Sequence, residues 1–314
     1  MKKNLFVTAL AFLALLSTSC SKDEHSRSIS FTAACPKTKA VETTTSSLQA
    51  DGIFWWDGWF DGSNAFASKT ATWDDANTVW NTTEYWPDDY SKSLDFWAYA
   101  PDAFGTITYA ADHLSMSFNY APLSTGTSVA VEQKDLIVAY GGNNTFNQVG
   151  HVDHRVPLEF NHALAAIRYK VGDITAYSTY AQRITSISFN DLAASGTCVA
   201  ATDGTFAWTP STAKASYTQA FGGAAITTGE VLNDRIGGAM LMIVPQTLTS
   251  ANTMTLAWSL DGVAQTSRIK ALNTASGITL EAGKIYTFTI GIEEREPIVL
   301  EVSVADWVEE EITL

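Results

Sequence analysis

From Ser28 to Cys35 the chain alternates residue by residue. Ile29, Phe31, Ala33 and Cys35 fall on one face, and Ser28, Ser30, Thr32 and Ala34 on the other. A period of two predicts a half-buried strand. Pro36-Lys37-Thr38-Lys39-Ala40 breaks it, and a Thr/Ser-rich loop runs on to Ser47. Beyond that point short β-type segments recur at 52–60, 94–99, 106–109, 115–118, 136–140, 156–160, 166–171, 184–189, 196–200, 239–244, 253–260, 265–269 and 284–290. Turn signals punctuate them: Asp57-Gly58, Asp61-Gly62, Gly141-Gly142-Asn143-Asn144, Asp203-Gly204, Gly222-Gly223 and Asp261-Gly262. Residues 256–269 around Asp261-Gly262 predict a hairpin with a type I′ turn. Helical period is nearly absent; 162–167 is the one stretch that offers a helical turn.

Many short strands with frequent Gly, Asn and Asp turns predict an all-β chain of β-sandwiches. The pattern is too long for one sandwich of ~100 residues, so two in tandem are expected. We place the first at 28–155 and the second at 156–296, divided where the polar 148–155 stretch ends a Gly/Asn loop. The end of the chain carries one more strand. After Glu293-Glu294-Arg295-Glu296-Pro297, a charged and proline-bearing stop, Ile298, Leu300, Val302 and Val304 share one face. Trp307 follows, then Glu309-Glu310-Glu311, so 297–314 reads as a separate tail.

Composition narrows the class. The 314 residues are 46% hydrophobic and 11% aromatic, enough for one large or two ordinary cores. Lys and Arg number 19 against 33 Asp and Glu, a formal charge of −14 that argues against nucleic acid or anionic head groups as partners. Three cysteines can build neither a disulfide scaffold nor a four-cysteine zinc site. Cys35 and Cys198 suit either one disulfide or two buried thiols.

The front of the chain reads as an address. Met1-Lys2-Lys3 is a basic start, and 5–16 is an apolar run of signal-peptide length, too short to span a membrane. Leu16-Ser17-Thr18-Ser19-Cys20 resembles a bacterial lipobox, which implies a signal peptide of residues 1–19 and acyl chains (palmitate among them) on Cys20. An ordinary signal peptide with an incidental cysteine is the alternative. Residues 20–27 then form a lipidated tether. Ser21-Lys22-Asp23-Glu24 resembles the surface-export signal of Bacteroidetes lipoproteins. Lipid on Cys20 would make this a body anchored to the outer membrane.

Several segments together resemble the fimbrillin family of Bacteroidales, the subunits of type V pili. They are Tyr85-Trp86-Pro87 with Leu94-Asp95-Phe96-Trp97-Ala98-Tyr99-Ala100-Pro101, Gln133-Lys134-Asp135-Leu136-Ile137-Val138-Ala139, and Val156-Pro157-Leu158-Glu159-Phe160-Asn161-His162-Ala163-Leu164. Ile243-Val244-Pro245-Gln246, Ala282-Gly283-Lys284-Ile285-Tyr286-Thr287-Phe288 and Val302-Ser303-Val304-Ala305-Asp306-Trp307 continue the order. The resemblance implies two transthyretin-like sandwiches, and assembly with other copies or related pilus subunits by strand exchange. It also implies a trypsin-like surface protease that removes the first strand and its lipid by cutting in 28–40. Lysines stand where the family commonly has arginine, so Lys39, before Ala40, is the expected cut, with Lys37 as a second site. Cutting at Arg27 would release the lipid and leave the strand in place. On this reading Ile298, Leu300, Val302 and Val304 form the donor face. Burying four such side chains in a neighbour's groove is worth roughly 4–10 kcal/mol before ordering costs.

Two other features suggest chemistry. Trp55, Trp56 and Trp59, flanked by Asp57 and Asp61, are candidate contacts for a host or bacterial glycan, as in a tip adhesin. The same run also reads as a core strand, and the two aspartates lack the spacing of an EF-hand calcium loop. His151 and His154 lie three apart in a loop without further ligands, which suits a solvated linker better than a metal site. No G-x-S-x-G, H-E-x-x-H or P-loop occurs, so neither an enzyme nor a cofactor is expected. The expectation is therefore a fimbrial subunit at the cell surface, with an unpolymerised adhesin or surface lipoprotein as the alternative.

Overall fold

The computed structural model describes residues 27–35, 45–102, 104–126, 129–147, 154–177, 179–272, 277–292 and 299–307. The leader 1–19, Cys20, Lys37, Lys39, Ala40, His151, Ile298 and Glu309 to Glu311 lie outside them. Most of the described chain is β-strand, with only short helices such as Thr45–Asp51.

The first body is an eight-stranded sheet in the order Asn161–His162, Ile137–Asn144, Leu94–Ala100, Ile53–Phe60, Ser63–Asp74, Val79–Tyr85, Ser28–Ala34 and Arg155–Glu159. Its first and last members are consecutive in the chain, separated only by Phe160, so the sheet bends back on itself. The enclosed core is aromatic: Phe31, Phe54, Trp56, Trp80, Phe96 and Phe160 are buried within it. Asp61 and Gly62, both at positive φ (51° and 75°), make the two-residue turn between Phe60 and Ser63.

The second body stacks two sheets. One runs Leu241–Ile243, Ala165–Val171, Lys284–Gly291 and Val299–Asp306. The other runs Lys214–Ala220, Gln182–Ala193 and Thr253–Leu260, with Val263–Ala264 and Arg268–Ala271 both pairing on the last. Phe189 and Phe288 meet edge to face across the gap, ring centres 5.0 Å apart. The Asp261-Gly262 hairpin is present, with φ of 45° and 84° and Leu260 opposite Val263.

The two bodies are knitted together. Ser115–Tyr120 of the first pairs along its length with Gly196–Ala201 of the second, in a four-stranded sheet of its own. A third cluster fills the joint, with Trp97, Phe118 and Leu136 from one side and Cys198, Met240 and Ile285 from the other.

Four expectations need correction. Residues 156–160 belong to the first body: Arg155–Glu159 pairs with Ser28–Ala34, and Val156, Leu158 and Phe160 pack in the first core. The chain therefore crosses between the bodies after His162, not at Val156. Asp57-Gly58 is a bulge inside Ile53–Phe60, where Phe66 and Trp56 crowd the place a side chain on Gly58 would take. Gly141 to Asn144 completes the strand Ile137–Asn144 and is not a turn. Residues 162–167 contain no helical turn, because Ala165–Val171 is a central strand with its neighbours on both sides.

Candidate functional site

Ser28–Ala34 is an interior strand. It pairs antiparallel with Val79–Tyr85, Phe31 opposite Trp80, and parallel with Arg155–Glu159, from Ser30 opposite Arg155 to Ala34 opposite Glu159. Alternation explains the placement: Ile29 and Phe31 are fully buried and Cys35 nearly so, whereas Thr32 and Ala34 are exposed. Phe31 sits edge-to-face with Phe54, Trp56 and Phe96, at ring-centre distances of 5.6, 5.4 and 5.3 Å. Burial also pushes the Cys35 thiol up to about 12.

The strand is tied at both ends. Trp86 N–H donates to the Arg27 carbonyl at 2.9 Å, and Phe160 N–H to the Ala34 carbonyl at 2.8 Å. The Thr82 hydroxyl donates to the Ile29 carbonyl at 2.9 Å. Cys35 N–H donates to Thr45 Oγ1 at 3.0 Å, so the two residues that flank 36–44 are held together. Arg27 is engaged too: its guanidinium pairs with Asp88 and lies 5.5 Å from the Tyr90 ring centre.

The tail strand Val299–Asp306 lies antiparallel on Lys284–Gly291, from Val299 opposite Gly291 to Asp306 opposite Lys284. It forms the edge of its sheet, on its own chain. Of the face expected to be apolar and inward, Val302 is half-buried against the second core and Val304 is 55% exposed. Leu300 pairs with Ile290 through the backbone. Trp307 behaves differently. It is buried in the joint, its backbone N–H donates to the Gly283 carbonyl at 2.9 Å, and its indole stacks on His162 with ring centres 4.1 Å apart and planes within 3°. His162 Nδ1 lies 2.7 Å from Asp135 Oδ2, both side chains buried.

The three tryptophans of the aromatic run do not share one exposed face. Trp56 is fully buried in the first core and Trp59 nearly buried, because Ile53–Phe60 is central in its sheet and its alternate residues face two cores. Trp59 stacks on His113, planes within 8°. Trp55 is half-buried. Asp57 is buried, accepting from Tyr109 Oη at 2.6 Å and Ser68 N–H at 2.8 Å, while Asp61 pairs with Lys92 at 2.5 Å. His154 stacks on Phe146, 4.4 Å between ring centres. No group of three or more His, Cys, Asp or Glu side chains able to hold a metal occurs among the described residues. Cys35 and Cys198 are separate buried thiols in different cores.

Sequence reasoning missed the His162, Asp135 and Trp307 group. Its members are far apart in the chain: the pairing of Asn161–His162 on Ile137–Asn144 sets His162 beside Asp135, and the register of the last strand brings in Trp307.

A fimbrillin-like family model matches residues 37–307. Among solved structures, a fimbrial protein of Bacteroides vulgatus superposes with a TM-score of 0.59 at 17% identity, covering 90% of this chain and 100% of its own. A proposed cell adhesion protein of Bacteroides uniformis gives 0.56 at 18% identity, covering 90% and 98%. One from Bacteroides ovatus gives 0.53 at 13%, covering 91% and 99%. No curated protein matches the chain in sequence.

Proposed function

The chain belongs to the fimbrillin-like family, and we propose that it is a structural subunit of a cell-surface fimbria of the type V class, built from two transthyretin-like sandwiches. In this reading it reaches the outer membrane as a lipoprotein acylated on Cys20. A trypsin-like protease then cuts after Lys39, or after Lys37, and the leading strand departs with its lipid. A neighbouring subunit, another copy or a relative, donates its tail strand to the vacated slot.

One observation carries the reading: Ser28–Ala34 fills an interior slot by two side chains and two ladders, and the segment with the candidate cuts follows it directly. Loss of that strand would bare the aromatic wall of Phe54, Trp56 and Phe96 and the backbone edges of two flanking strands. Such a slot templates an incoming alternating strand. The tail is a suitable donor, since Val304 is largely uncovered where it lies now. Engagement of Arg27 by Asp88 and Tyr90 further favours the lysines as the cut.

Deleting residues 298–314 tests the donor role. Polymers should vanish from surface-sheared material while the monomer keeps its circular dichroism; polymers that survive the deletion refute the donor role.

The seat of the tail on its own chain favours a second reading, an unpolymerised tip, cap or anchor subunit. N-terminal sequencing separates the two. A stalk subunit begins near Ala40, and an anchor keeps acylated Cys20. A glycan contact, if the protein makes one, has only Trp55 of the three tryptophans partly open to it.

A further inference from the structure

The tail strand is held on its body by two unequal attachments. Among the described residues, Val299–Asp306 has a backbone ladder on one side only. Of the side chains described there, Glu301, Ser303, Val304, Ala305 and Asp306 are exposed and Val302 is half-buried. Asp306 pairs with Lys284 at the surface, where ion pairs contribute little. Edge strands with this little burial fray readily. Trp307 is the exception, 2% exposed and inside the cluster that joins the two bodies. Among the described side chains of the tail, 301–307, the indole is the one that is buried.

The pocket is imperfect, and that matters as much as its depth. Trp307 Nε1 and His162 Nε2 are both buried and find no hydrogen-bond partner among the described residues. A buried donor or acceptor left unpaired counts against the docked state. The indole is therefore held by ring stacking and apolar contact, with a standing penalty for staying in.

We propose that Trp307 is a latch: its insertion against His162 keeps the tail strand on its own chain, and withdrawal of this one side chain frees the strand. Resting on the reading of the tail as donor, the latched form is an autoinhibited subunit that cannot engage a neighbour until the indole leaves the joint. The Asp135 carboxylate contributes by fixing the orientation of the His162 ring on which the indole stacks.

Amide hydrogen exchange on the full chain tests the latch without reference to assembly. In Trp307→Ala, residues 301–306 should exchange at least about tenfold faster, while Ile53–Phe60 and Thr253–Leu260 keep their wild-type protection. Trp307→Phe retains a stacking ring and deletes the unpaired N–H, so it should protect 301–306 as well as tryptophan or better. Lys284→Ala should change exchange there by less than about twofold. Unchanged protection of 301–306 in Trp307→Ala would overturn the proposal, because the ladder alone would then hold the strand. A uniform loss of protection in every strand would overturn it too, since Trp307 would then be an ordinary core residue. If the tail is freed but no oligomer forms after removal of the leading strand, the latch stands and the donor reading fails.

Discussion

Phe31 concentrates the first core's dependence on its leading strand. It is fully buried among three rings arranged edge to face, a geometry that adds to simple area burial. Phe31→Ala should cost about 3–5 kcal/mol, as phenylalanine truncations in closed cores do, measured as a lowered urea midpoint with unchanged slope. Cys35 gives a pH prediction. Burial disfavours its thiolate, raising the folded value from the ordinary 9.0 to about 12. Below pH 9 both folded and unfolded chains hold the proton and nothing changes. Between pH 9 and 12 the unfolded chain releases it first, so stability falls as pH rises. Half-buried Tyr140 and buried Tyr217, also raised to about 12 by desolvation, act in the same direction. The melting temperature should therefore drop between pH 9 and 11, and neither Cys35 nor Cys198 should react with a thiol reagent at pH 8 until the chain unfolds. At this scale the sequence was informative where alternation was strict: it put Ile29, Phe31 and Cys35 inward. For Trp56 and Trp59 it offered both a core strand and an exposed face, because a run in which both faces are aromatic does not reveal that each face has a core of its own.

Strands with one apolar face were legible, and strands without one were not. Ile53–Phe60, Ala165–Val171 and Lys284–Gly291 were read within a residue or two, since each buries most of its side chains. Ser63–Asp74, Val79–Tyr85, Phe206–Pro210 and Lys214–Ala220 were missed. Much of their side-chain surface faces solvent, and backbone ladders that leave no hydrophobic period hold them in place. The most consequential miss concerns Val79–Tyr85, the antiparallel neighbour that makes Ser28–Ala34 an interior strand. From that position a prediction follows. Cutting after Lys39 severs one covalent link but leaves both ladders and the burial of Ile29 and Phe31 intact, each side chain worth about 1.5–3 kcal/mol. The cut fragment should therefore co-elute with the body in size-exclusion chromatography. It should separate only when a competing strand, such as a synthetic peptide of residues 297–307, is present in excess. Spontaneous loss of the fragment after the cut would show that the slot empties without a donor.

Two compact bodies were expected with a simple passage between them, and the sequence supports no more than that, because pairing across a joint leaves no local trace. In the folded chain the joint is substantial. Arg155–Glu159 returns to the leading strand before the chain leaves for the second body, and Ser115–Tyr120 gives its edge to Gly196–Ala201. Buried polar contacts add register: Met242 N–H donates to Gln133 Oε1 at 2.7 Å, and Ala130 N–H to Gln219 Oε1 at 2.8 Å. Phe118 meets Trp208 across the gap, ring centres 5.7 Å apart, and the Trp208 indole donates to the Ala163 carbonyl at 2.7 Å. A joint that shares a sheet, a core and buried hydrogen bonds couples its two sides, so the bodies should unfold together. Calorimetry of the full chain should show one transition, and Phe118→Ala should lower it by an amount equivalent to about 3–5 kcal/mol. Protection in Ile53–Phe60 and Thr253–Leu260 should fall in parallel, although neither strand contains the altered residue. Two separable transitions, or loss of protection confined to the first body, would mean that the joint is a contact between independent units. In the fibre proposed above, a pull delivered at the leading-strand slot would reach the tail through this joint, and a single rigid unit would transmit it.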